Sequence, residues 1–75
     1  MIDSLLDACR CVLEDQGEAQ CSFWLASQIM EARMWRASEA DVRDALNKDI
    51  ERRGKSSIFV KVDEDEFALR SWATE

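Results

Sequence analysis

The run from Ser38 to Trp72 constrains this chain more than any other part of it. Ser38-Glu39-Ala40-Asp41 forms a capping box, in which the serine hydroxyl takes a first-turn N–H and the Asp41 carboxylate reaches back. The helix it starts places Val42, Ala45, Leu46 and Ile50 inward, and Gly54 can take the left-handed conformation that ends it. Ile58-Phe59-Val60-Lys61-Val62 and Phe67-Ala68-Leu69-Arg70 then read as paired strands. The hairpin they make has four consecutive acids at its tip, Asp63-Glu64-Asp65-Glu66, and Trp72 follows to close the core.

Upstream, Asp3 or Ser4 can cap a first helix in which Leu5, Leu6, Cys9, Val12 and Leu13 recur at helical spacing until Gly17. Its opposite face carries Asp7, Arg10 and Glu14. Ala19-Gln20-Cys21 is long enough only for a short bridging strand. Ser22 is expected to cap a second helix running to about Arg33, with Leu25, Ala26, Ile29 and Met30 as its core stripe. Phe23 and Trp24 sit in the first turn, and Trp24 falls opposite that stripe. Two readings stay open for it: folded back to complete a small core, or exposed for a protein partner or a second copy of the chain.

Helix, short strand, two helices and a hairpin is an α+β order, that of a winged helix-turn-helix with the hairpin as wing. At 75 residues, residues 1–75 are expected to form one domain that buries only about 60% of the surface of the unfolded chain. A buried catalytic pocket is therefore not expected. There is no proline to mark a linker, and no apolar run approaches the ~20 residues of a membrane span. Met1-Ile2-Asp3 lacks the basic start of a secretory signal, so the expectation is a soluble cytoplasmic protein, nucleoid-associated or nuclear if it binds DNA. Cys9, Cys11 and Cys21 are an odd set without a histidine, which fits free thiols in a reducing compartment better than a disulfide scaffold or a zinc site.

The net charge of −6 is unevenly spread. Residues 1–35 are acidic, with Arg10 and Arg33 as their only basic side chains, and residues 63–75 set Arg70 against five acids. Residues 36–62, with seven basic and five acidic side chains, are the one basic segment. Any attraction to DNA is thus local rather than long-range. The acidic tip cuts against the usual role of a wing, because duplex DNA carries one negative charge per ~1.7 Å.

Order and short motifs together resemble the HARE-type helix-turn-helix (HARE-HTH) family over almost the whole chain. The carriers are Met34-Trp35, Ala45-Leu46-Asn47-Lys48-Asp49-Ile50 before Gly54, and Phe59-Val60-Lys61-Val62 followed by Phe67-Ala68-Leu69-Arg70. The family's winged-helix modules occur in chromatin regulators, restriction-system proteins and the bacterial RNA polymerase delta subunit. The resemblance implies a nucleic-acid or transcription context. This chain departs from the pattern in three places: only Arg36 and Ala37 separate Trp35 from Ser38, where a glycine- and lysine-rich loop is common. Acids replace the glycine turn of the wing, and Phe23 and Trp24 stand where charged residues are usual.

For duplex DNA as partner, the third helix would lie in the major groove, with Arg43 on a guanine edge and Asn47 on an adenine edge. Arg36, Lys48, Arg52, Lys55 and Lys61 would contact phosphates. The bland alternative is a solvated helix in which Arg43, Lys48 and Arg52 pair with Asp44, Asp49 and Glu51, each pair contributing ~0.2–0.5 kcal/mol. The other functional reading is a protein-interaction module that uses its acidic surface and Trp24. No enzyme, cofactor, metal, small-molecule substrate or membrane is expected: the carboxylates of the tip, on an exposed turn, lack the burial and the oxyanion donors that catalysis needs.

Overall fold

Each helix begins where the sequence supplies an acceptor for its first free N–H groups. The structure, a computed structural model, describes residues 4–72. In α1 (Leu5–Gln16) the Ser4 hydroxyl accepts the Asp7 N–H at 3.1 Å, while Asp3, the other candidate cap, lies outside the described residues. Gly17 ends this helix at φ 83°, a conformation that costs glycine little, and its N–H returns to the Leu13 carbonyl at 2.8 Å.

The short strand is β1 (Gln20–Cys21), and α2 (Ser22–Glu31) follows without a loop. Its cap is Cys21 rather than Ser22, which corrects the expectation. Pairing with Glu66 keeps Cys21 extended, its sulfur accepts the Trp24 N–H at 3.5 Å, and Ser22 is already helical with its hydroxyl free for another partner. The helix ends at Glu31, earlier than expected, because Arg33 turns left-handed at φ 57° and lets Met34 N–H reach the Ile29 carbonyl at 3.0 Å. Leu25, Ala26 and Ile29 are buried, but Met30 is 52% exposed. With Leu25 at 0°, Ile29 and Ala26 fall at about 40° and about 100° around the helix, whereas Met30 falls at about 140°, beyond the edge of the core face.

The third helix, α3 (Glu39–Arg53), opens on the complete capping box: Ser38 Oγ accepts Asp41 N–H at 3.2 Å and Asp41 accepts Ser38 N–H at 3.1 Å. Val42 and Leu46 are buried and Ala45 and Ile50 half-buried, as expected. Asp49 is buried among them. Gly54 closes the helix at φ 53°, ψ −120°, outside the left-handed helical region but still open to glycine, and a 3-10 turn (Gly54–Ser56) leads into the sheet.

Strands β2 (Phe59–Asp63) and β3 (Glu66–Leu69) form the hairpin, and all pairing is antiparallel in the order β1-β3-β2. Phe59 faces Leu69, Val60 faces Ala68 and Lys61 faces Phe67, with an irregularity before Asp63 meets Glu66. The central strand β3 buries Phe67, Ala68 and Leu69, and Phe67 and Leu69 join Leu13, Leu25, Ile29, Val42, Leu46 and Phe59 in one core. Trp24 and Trp72 pack on its margin. This is the α+β arrangement of a winged helix, with three helices and a small three-stranded sheet. No helix among the described residues is long and apolar enough to cross a membrane.

Candidate functional site

The outer face of α3 carries opposite charge at its two ends. Near its start, Arg43 and Asn47 stand one turn apart and half-buried, in a shallow hollow shared with Ala40, Asp41 and Asp44. Arg43 is paired, as in the solvated-helix reading, but with other acids than that reading named. Its Nη2 lies 3.5 Å from Glu39 and its Nε 3.7 Å from Asp65, so two carboxylates share one guanidinium. Lys48 lies 3.3 Å from Asp44, as the solvated-helix reading would have it.

Toward the other end the balance reverses. Arg52 and Lys55 are exposed at the end of α3 and in the 3-10 turn, Lys61 is exposed on β2, and none of the three makes an ion pair among the described residues. Helix α3 and strand β2 pack against each other, so these cations belong to adjoining elements. Arg36 is set apart from them. It lines a hollow with Met30, Arg33 and Trp35 before the start of α3. The helix between spans roughly 20 Å at 1.5 Å per residue. Arg36 and Arg52 thus lie at opposite ends of α3.

The hairpin tip is also not a solvated run of four acids. Asp63 and Glu66 are strand residues, and the turn is Glu64-Asp65. Asp65 folds back, and the Ser22 hydroxyl, 0% exposed, donates to both its oxygens at 2.8 and 2.9 Å. Asp63 Oδ1 accepts the Glu64 N–H at 2.8 Å. Glu64 itself is exposed.

A network missed by the sequence reading braces the basic end. Asp49 accepts from Ser57 Oγ at 2.6 Å and lies 2.9 Å from Arg53 Nε. Arg70 donates from Nε to the Ser57 carbonyl at 2.6 Å and from Nη2 to the Gly54 carbonyl at 2.8 Å. The signal for Asp49 was its spacing, since it falls three residues after Leu46 and seven after Val42 on the inward face. No comparable periodic signal marks Arg70.

Phe23 and Trp24 do not share a surface. Trp24 is half-buried against the core, whereas Phe23 is 64% exposed. Phe23, Ala26, Met30 and Ala37, together with Ser27, Glu31, Ser38 and Glu39, line an open groove of about 560 Å³. All three thiols are free, and burial pushes that of Cys9 up to about 12.

No family model matches the chain, and comparisons with curated proteins and with solved structures give no match.

Proposed function

We propose that this chain is a non-enzymatic winged-helix module of a transcription or restriction context, cytoplasmic or nucleoid-associated, that holds duplex DNA by its phosphates. The observation that carries this reading is the set of exposed cations without acidic partners among the described residues, Arg52, Lys55 and Lys61, at the end of α3, in the 3-10 turn after it and on the strand beside it. The resemblance to the HARE-type family supports it. Phosphate contacts position a protein on a duplex without reading its sequence, so the module by itself is a weak, salt-sensitive binder.

A titration of the labelled protein with mixed-sequence duplex tests this. Amide shifts should cluster at Arg52, Lys55 and Lys61 and fade as salt is raised. An unchanged spectrum at ~50 mM salt would sink the reading.

A second reading has its own observation, the exposed Phe23, Met30 and Trp35 along and after α2. Exposed aromatic and methionine side chains at neighbouring positions suit a protein partner. Dilution of the free protein discriminates: concentration-dependent shifts at Phe23 and Met30 would point to a second copy of the chain.

A further inference from the structure

Resting on the DNA-binding reading, we propose that Asp65 is an internal gate on sequence readout: the hairpin tip occupies the edge of Arg43 that would pair with a base. A guanidinium reads a guanine through two parallel N–H groups, and the Nε and Nη2 hydrogens form one such fork. In this structure two carboxylates of the chain itself stand at that fork. Asp65 stands 3.7 Å from Nε and Glu39 3.5 Å from Nη2.

Glu39 is an ordinary helix neighbour four residues away, but Asp65 arrives from the wing. What brings it there is Ser22, whose buried hydroxyl bonds both carboxylate oxygens and fixes them beside Arg43. Lifting the tip away would leave that donor unpaired in the interior, so the free protein stays closed. The contact with Arg43 is half-exposed on both sides, which makes it weak enough for a competing acceptor to displace. The closed module therefore meets a duplex through phosphate contacts alone, and base readout by Arg43 requires its guanidinium to be released from the Asp65 carboxylate.

The test compares the full chain with D65N, E64Q, R43A and the double variant D65N/R43A, each titrated with a guanine-rich duplex at low salt. Asparagine at 65 keeps an acceptor for Ser22, so the fold is preserved; an amide spectrum verifies this. Glu64 is exposed and makes no contact with Arg43, so E64Q removes the same charge without opening the gate. D65N should bind about tenfold tighter than the wild type, the order of one guanidinium–base pair, with E64Q gaining far less. The gain should vanish in the R43A background, and the Arg43 Nε–H resonance of free D65N should move. Equal gains in D65N and E64Q, or a D65N gain that survives R43A, would overturn the gate and leave the DNA reading standing. Binding by neither the wild type nor D65N would overturn both.

Discussion

Asp49 Oδ2 accepts a 2.6 Å hydrogen bond from the Ser57 hydroxyl, and that hydroxyl in turn accepts the Phe59 N–H at 3.1 Å. The last turn of α3 is thereby tied to the first residue of β2 through a buried polar chain. All three polar groups are satisfied, which is why a carboxylate survives at a 9% exposed position. The same link joins the two elements that carry Arg52 and Lys61.

Breaking that link should be costly in a specific way. Asp49→Ala leaves the Ser57 donor buried without its acceptor and should lose about 1–3 kcal/mol of stability. Asp49→Asn, which keeps an acceptor, should lose less. Arg53→Ala removes only an exposed partner of the same carboxylate and should cost under ~1 kcal/mol. Urea denaturation at constant m-value ranks the three. An Arg53→Ala loss as large as that of Asp49→Ala would show that the ion pair, not the hydroxyl bond, is the brace.

Cys9 gives the stability a pH dependence. Its thiol is raised from an ordinary 9.0 to about 12 because burial penalises the thiolate. Below pH 9 both folded and unfolded chains hold the proton, and this group contributes no slope. Between pH 9 and about 12 the unfolded chain releases it and the folded chain keeps it, so stability falls by about 1.4 kcal/mol per pH unit. The urea midpoint of the wild type should therefore drop from pH 9 to 10.5 more steeply than that of Cys9→Ala. Parallel slopes in the two proteins would remove Cys9 as the cause.

What was legible in the sequence is what local chemistry decides. The Ser38–Asp41 capping box and the glycine at the end of α1 need only near neighbours, and each is found where the pattern put it; the hairpin forms too, but as Phe59–Asp63 and Glu66–Leu69, with burial that does not alternate because β3 is the central strand. Positions decided by distant chain were misread. Ser22 reads as a cap until β1 pairs with β3 and moves that task to Cys21, and the tip acids read as solvated until Ser22 captures Asp65. The same contact changes the site, because an outward Arg43 is implied by helix spacing, while its two acid partners include one from 22 positions later in the chain. Met30 was misplaced for a simpler reason: a four-residue apolar stripe is wider than the core that α2 meets.

The end of α2 stores strain that glycine would relieve. Arg33 takes φ 57° without being glycine, asparagine or aspartate, and its turn is kept by the Met34 N–H to Ile29 carbonyl bond. Left-handed backbone costs an ordinary L-residue about 1–2 kcal/mol, partly offset in glycine by the greater freedom of its unfolded state. Arg33→Gly should raise stability by roughly 0.5–1 kcal/mol. A thermal melt that shows no gain would mean that the arginine side chain contributes packing or charge interactions of equal size.

The division of the basic residues gives a prediction that separates phosphate contact from general charge. Each phosphate contact adds about 0.9 to the salt dependence of duplex binding. Arg52→Ala and Lys61→Ala should each lower that slope by about 0.9 and weaken all sequences alike. Arg36→Ala removes the same charge from the far end of α3, in the hollow with Met30 and Trp35, and should leave the slope unchanged. Attraction without a fixed docking site would respond to all three alike, because the duplex then samples every exposed cation. Equal slopes for the three variants would therefore remove the Arg52–Lys61 surface as the docking site, and a reduced slope for Arg36→Ala alone would move it to the start of α3.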